Sequence, residues 1–405
     1  MLKTSMRHWF WRSLSLLPVL AAIGCGGSSE GSTPSAGAGA TDMGAGAGGR
    51  SAGGTAGTSS GGALAGAADD RPALPEWNPP IPLGDTGWQD SQGPFCAPQQ
   101  GHQLAFQIWA DASAVHAVFG TSCDSLSDIS CAGSRGLSLW KNDGSGWQTE
   151  AELGVVDAAA LGGLPDGPVL IGTEVNGTRG IYIVQDGQLT LSLELDTLSD
   201  LQLFGVGPKH AYARSGSEVL EYRNGSWRAL ETLPEQVLSI SGGDQFVVAV
   251  GLNQSIYLKQ GSAAFEALPG VPAGDYTASW AFTANDIWAG NGDGQLLHYD
   301  GSSWHVLETG SRDKTGSGIV ALWGDADTVY FMTFTELGRA TEANAELLFS
   351  RSPSAKPSEP YFSPQSLWGK SKDELFLAIS DEQFAQYACG AAFVVWFDGS
   401  KFHQF

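Results

Sequence analysis

Carboxylates, 43 Asp and Glu in all, and seven His are the side chains of this chain that could do chemistry at a fixed spacing. Hydrolysis of a glycosidic bond needs two carboxylates about 5–10 Å apart, and an acidic sugar also needs cations to grip it. The arginines Arg135, Arg179, Arg214, Arg223, Arg228, Arg312, Arg339 and Arg351 are scattered through turn-like stretches and run ends, and no three of them suggest a clamp. Local metal motifs place their ligands at fixed short spacings. His102, His116, His210, His298, His305 and His403 follow none of these, and H-E-x-x-H does not occur, so no metal and no cofactor are expected. Asn291-Gly292-Asp293-Gly294 has the composition of a calcium loop but lacks the remaining oxygen ligands and the closing Glu, and it reads as a hairpin turn. A formal charge of −22 with no Lys/Arg run argues against nucleic acid, which needs a basic surface to displace counterions.

The five cysteines are the other reactive groups. Lys3, Arg7 and Arg12 precede an apolar run, Leu14 to Ile23, which is too short to cross a bilayer as a helix and has the size of a secretory signal core. The run ends in Ala22-Ile23-Gly24-Cys25, which resembles a bacterial lipobox. That resemblance implies a signal peptide over residues 1–24, lipidation of Cys25, and export to the outer membrane on its periplasmic or cell-surface side. Cleavage removes three cations and no acid, so attachment must rest on acyl chains alone. Between Gly26 and Asp70 nearly every residue is Gly, Ala, Ser or Thr, and only Met43 and Leu64 are large and apolar. Residues 25–70 are therefore expected to be a disordered tether with a root-mean-square span of about 35–40 Å. Gly57-Thr58-Ser59-Ser60-Gly61 and the stretch Gly44 to Gly49 match a nucleophile elbow and a dinucleotide fingerprint by composition only, since neither follows a strand. Residues 71–103 form a Pro-rich lead-in.

From Leu104 to Phe405 the chain repeats itself about every forty residues. The clearest unit runs through Ser279-Trp280-Ala281, Asp286-Ile287-Trp288-Ala289-Gly290 and Tyr299-Asp300-Gly301-Ser302-Ser303-Trp304. Three apolar strands end in an Asp-Gly turn, where positive φ angles are needed, and a fourth strand opens on Trp. The turn recurs at Asp143-Gly144, Asp186-Gly187, Asn224-Gly225, Gln260-Gly261 and Asp398-Gly399, with Phe349-Ser350-Arg351-Ser352 as a degenerate seventh. Inner strands around Trp109, Leu161, Phe204, Ile240, Trp280, Trp323 and Trp368 give the same count. Four-stranded units of this size bury both faces only by stacking radially, so the expected fold is all-β, a seven-bladed β-propeller of four-stranded antiparallel blades over residues 104–405. The Asp-Ile-Trp-Ala, Leu-Trp-Gly and Tyr-Asp-Gly-Ser-Ser-Trp strings resemble the Trp-rich propeller repeats of secreted and lipid-anchored bacterial proteins, an architecture like that of kelch and WD40 propellers. Trp280, Trp304, Trp323 and Trp368 are expected to pack between neighbouring blades.

With Cys25 lipidated, Cys96, Cys123, Cys131 and Cys389 remain, an even number in an exported chain with three possible connectivities. Cys96 enters blade one and Cys389 precedes the third strand of blade seven, on one face of the ring. The expected pairs are Cys96–Cys389, stapling the ring shut, and Cys123–Cys131, pinning a loop. Loops between second and third strands are expected to be long in blade six (Thr333 to Ala345), blade seven (Ser380 to Gly390) and blade one (Thr121 to Ser134). They offer Asp124, Asp128, Glu336, Arg339, Glu342, Asp381, Glu382, Phe384 and Tyr387 as a rim for a protein or glycan ligand. The preferred reading is a monomeric, non-catalytic binding or scaffold protein of the cell envelope. The alternative is a propeller-fold glycoside hydrolase or sialidase-like enzyme acting on polysaccharide. Asp300-Gly301-Ser302-Ser303-Trp304 is similar to the Asp-containing turn of that class, though one residue shorter, and the enzyme would also need a carboxylate pair in the central cleft.

Overall fold

A computed structural model of the chain describes residues 102–122, 136–155, 160–198, 200–311, 318–350, 362–381, 391–400 and 402–404. These residues form 28 strands and no helix, paired into seven four-stranded sheets. Every sheet is an antiparallel meander of consecutive strands. The innermost are β1 (His102–Ala110), β5 (Ala160–Gly163), β9 (Gln202–Gly207), β13 (Val237–Gly243), β17 (Tyr276–Thr283), β21 (Ala321–Asp325) and β25 (Phe362–Ser371). Each touches the next around a ring, and β25 returns to β1. The chain is a seven-bladed propeller.

The repeated turns have two geometries. Asp186-Gly187 and Asn224-Gly225 are two-residue links with positive φ at both positions, which suits the right-handed twist of the strands that they join. Asp143, Asp300 and Asp398 instead open four-residue turns. There the carboxylate accepts from the backbone and hydroxyl of the serine two places on, as in Ser302 N and Oγ to Asp300 Oδ1 at 2.8 and 2.7 Å. These aspartates hold turns. Blade six departs from expectation. Its third and fourth strands, β23 (Glu336–Ala340) and β24 (Ala345–Ser350), are joined by Thr341 to Asn344, so Phe349 and Ser350 end a strand rather than make a turn.

One row of residues crosses every blade from axis to rim in matching register. In blade three it reads Phe204, Tyr212, Glu221, Arg228; in blade five Trp280, Trp288, His298, His305; in blade six Trp323, Tyr330, Arg339, Glu346; and in blade seven Trp368, Phe376, Trp396, His403. The Trp-Gly strings follow from this row. An added Cβ at Gly163, Gly324 or Gly369 would lie 2.3, 2.6 or 2.6 Å from the indole of Trp109, Trp280 or Trp323, each one blade earlier. Every such Trp lies on the small residue beside the next blade's row. Trp304, on the fourth strand of blade five, packs against the apolar layer shared by blades four and five. Trp280 and Trp368 also meet each other at 6.2 Å, and both meet Phe204, at 5.7 and 6.3 Å. Residues of blades three, five and seven can touch only at the axis, so aromatic rings fill it.

An inner strand has one unpaired edge, a liability unless its N–H groups find acceptors. Polar side chains of the preceding blade supply them. Ile240 N donates to Gln202 Oε1 at 2.9 Å, Ser279 N to Ser239 Oγ at 3.1 Å and Ile108 N to Ser366 Oγ at 3.2 Å. The last of these crosses the junction between blades seven and one. That junction also carries Trp368 Nε1 to Ala110 O and an apolar layer of Ile108, Val115, Ala117, Phe119, Phe376, Ala378 and Val394. Blades one and seven share no strand, so among the described residues packing closes the ring. The four cysteines expected to form disulfides lie outside the described residues, as do Cys25, the tether and the lead-in as far as residue 101, while His102 and Gln103 at the end of the expected lead-in already belong to β1.

Candidate functional site

The meander puts the turns between strands one and two, and between strands three and four, at one end of the propeller. At this end lie all five histidines whose side chains are described, and each faces a carboxylate. His116 Nδ1 lies 2.8 Å from Glu150 Oε2, His298 Nε2 lies 3.0 Å from Asp286 Oδ1, His305 Nε2 lies 2.8 Å from Asp300 Oδ2, and His403 Nε2 lies 2.6 Å from Asp398 Oδ2. His210 reaches two, Asp244 at 2.8 Å and Glu221 at 3.1 Å. Sequence reading found the histidines scattered. The structure gathers them at one end, because four of them (His116, His298, His305 and His403) occupy the blade row and His210 opens a second strand.

Two grooves run between blades at this end. The groove between blades three and four, about 260 Å³, is lined by Tyr212, Glu221, Arg223, Arg228, Asp244 and Lys259 among others. Glu221 is buried, and it accepts from Arg228 Nε at 2.6 Å and from Arg223 Nε at 3.2 Å. Burial pushes its carboxyl up, but the hydrogen bonds from the two guanidiniums prevail and hold it below the ordinary carboxylate range. Arg223 and Arg228 are themselves 43% and 67% exposed, leaving donors toward solvent. The groove between blades six and seven, about 270 Å³, repeats the arrangement with acid and base exchanged. There Tyr330 is followed by Arg339, whose Nε donates to Glu346 at 2.5 Å. In both grooves the row tyrosine donates to a carbonyl of the next blade, that of Gly243 at the end of β13 or of Lys372 in the turn after β25.

The expected rim is revised in blade six. Thr333 to Ala345 is not a long loop, since Glu336 to Ala340 form β23. Glu336 is fully buried and accepts from Ser311 Oγ at 2.6 Å, so it does not face a ligand. Arg339 lines the groove described above, and Glu342 is exposed on the turn after β23. Asp381 ends the second strand of blade seven, Glu374–Asp381, and Asp124, Asp128, Glu382, Phe384 and Tyr387 lie outside the described residues. Asn291-Gly292-Asp293-Gly294 is a hairpin turn, with Asn291 Oδ1 accepting from Asp293 N and Gln295 N at 3.0 and 2.8 Å. The one group of described residues able to hold a metal ion is Asp286, His298 and Glu342. Local-spacing rules missed it because its members come from two blades.

No protein-family model and no curated protein matches the chain. Among solved structures it is similar to YCF48 from Cyanidioschyzon merolae (13% identity, 73% of this chain and 96% of that one, TM-score 0.49). It is also similar to the WD40 β-propeller domain of Doa1 (13% identity, 69% and 90%, TM-score 0.47) and to YCF48 bound to D1 peptide (14% identity, 69% and 90%, TM-score 0.47). At these values the description of the fold rests on the chain's own strand pairing.

Proposed function

We propose that this chain is a lipid-anchored binding or scaffold module of the cell envelope, exported, tethered through Cys25 and monomeric, whose propeller recognises a protein or glycan without catalysing a reaction. The observation that carries the choice of recognition over hydrolysis is the composition of the axis. Phe204, Trp280 and Trp368 fill it, and the only acid in the seven inner strands is Asp325, at the end of β21. Asp325 Oδ2 accepts from Lys372 N at 3.0 Å and so holds a turn of blade seven. A carboxylate pair at glycosidase separation has no place there.

The contact surface is the groove between blades three and four. In a chain with 43 acids against 21 Lys and Arg, the exposed donors of Arg223 and Arg228 beside Lys259 suit an acidic group on the ligand, a uronate or a carboxylate-bearing peptide. Asp124, Asp128, Asp381, Glu382, Phe384 and Tyr387, which the sequence offers as a rim, would add a second contact. Photocrosslinking in intact cells from position 262 tests the groove. Wild type should give a discrete adduct that Arg228→Glu removes, and an adduct unchanged by Arg228→Glu and by Arg223→Glu would refute it. Cys25→Ser should release the protein from the membrane fraction.

A further inference from the structure

Three donors meet where blade five adjoins blade six. Asp286 opens the second strand of blade five, His298 lies in its third strand, and Glu342 projects from the last turn of blade six. One ligand atom from each lies within 4.8 Å of the other two. His298 is buried and stacked on Trp288 with ring centroids 4.3 Å apart, while Trp288 Nε1 donates to Asp286 Oδ1 at 3.1 Å. The imidazole and the carboxylate are therefore both held in place, as preorganised ligands are.

Comparison with blade three shows what is unusual here. His210 also faces two carboxylates, but Arg223 and Arg228 neutralise that cluster. Around Asp286 and Glu342 no Lys or Arg makes an ion pair among the described residues, and Arg339 of the same turn region is held by Glu346. Two carboxylates and one imidazole share a partly buried junction without a cation. One nitrogen and two oxygen donors suit a first-row divalent ion better than calcium or magnesium, which favour oxygen shells.

We propose that Asp286, His298 and Glu342 bind a divalent transition-metal ion of the zinc class, with solvent completing its shell, and so tie blade five to blade six. Tetrahedral zinc with bonds near 2.0–2.1 Å separates neighbouring donors by about 3.3 Å. The observed 3.0 Å between His298 and Asp286 needs to open only slightly, and exposed Glu342 swings in as the third arm. The ion takes the place of the hydrogen bond between His298 Nε2 and Asp286 Oδ1, with the neutral imidazole presenting the Nε2 lone pair and carrying its one ring hydrogen on Nδ1.

The test uses the full chain without a histidine tag, stripped by chelator and dialysed. Zinc is titrated in competition with a chromophoric chelator, and cobalt(II) is followed by its visible absorption. One equivalent should bind, cobalt should give ligand-field bands and quench part of the tryptophan emission through Trp288, and zinc should raise Tm by several degrees. Glu342→Gln changes only an exposed turn residue and should weaken zinc binding at least about tenfold, and His298→Ala should abolish it. If wild type binds no equivalent, or if Glu342→Gln binds like wild type, the cluster is a hydrogen-bonded pair and the proposal fails. Loss of the equivalent in His210→Gln with retention in His298→Ala would place the ion in blade three and overturn the proposal equally.

Discussion

Trp368 in blade seven donates its indole Nε1 to the carbonyl of Ala110 in blade one at 2.9 Å, while its ring meets Trp280 of blade five and Phe204 of blade three. One side chain thus joins ring closure to the filling of the axis. Trp368→Ala removes both and should cost about 3–5 kcal/mol. Trp368→Phe keeps ring bulk but leaves Ala110 O without its donor, at about 1–2 kcal/mol. Urea unfolding measures both, and a Trp368→Phe variant as stable as wild type would show that the indole hydrogen bond contributes nothing.

Ser239 accepts from Ser279 N and bonds to Ser279 Oγ, both at 3.1 Å, on the inner edge between blades four and five. Ser239→Ala leaves a buried N–H without an acceptor and should cost about 1–3 kcal/mol, whereas Ser302→Ala on an exposed turn should cost under about 1 kcal/mol. A reversed order in thermal melts would contradict the role assigned to the inner-edge acceptors.

Glu221 has a folded pKa below its ordinary value of 4.5, because hydrogen bonds from Arg228 and Arg223 outweigh the opposing effect of burial. A carboxylate lowered on folding contributes stability that is complete above its unfolded pKa and disappears as pH falls through the folded one. The stability gap between wild type and Glu221→Gln should be flat from about pH 7 to pH 5 and narrow below about pH 4.5. Urea midpoints measured across that range check it, and a gap as wide at pH 3 as at pH 7 would rule it out.

Non-reducing peptide mapping of the exported protein should recover Cys96 joined to Cys389 and Cys123 joined to Cys131. Reduction should then lower stability by up to roughly 5 kcal/mol, mainly through the long loop that Cys96–Cys389 closes. Recovery of Cys96 joined to Cys123 would defeat the staple.

Much of the propeller was legible because its signals are local. An Asp-Gly, Asn-Gly or Gln-Gly turn or a Trp-bearing inner strand marks each blade without reference to any other, and the seven sheets follow the chain in order. Blade six misled because β23 reads Glu-Leu-Gly-Arg-Ala, with polar letters at positions that a loop would also use. Glu336 is polar yet buried, and Gly338 is there because a Cβ would come within 2.1 Å of Phe331. Neither reason is visible along the chain. The histidine pairs were hidden likewise, since His116 meets Glu150 and His210 meets Asp244 only after strands pair and blades adjoin. A signal did exist for the grooves: Tyr212, Glu221, Arg228 and Tyr330, Arg339, Glu346 recur at the same spacing, with acid and base exchanged.

Because each blade is made of consecutive strands and the junction of blades seven and one uses the same kinds of contact as the others, no link between blades is topologically privileged. Cutting the chain in the connection between blades four and five and joining the end of the last strand, Phe402–Gln404, to the start of β1 through a flexible linker would give a circular permutant with the same seven sheets. Its rate of assembly would then report which blades condense first, apart from the order in which they leave the ribosome.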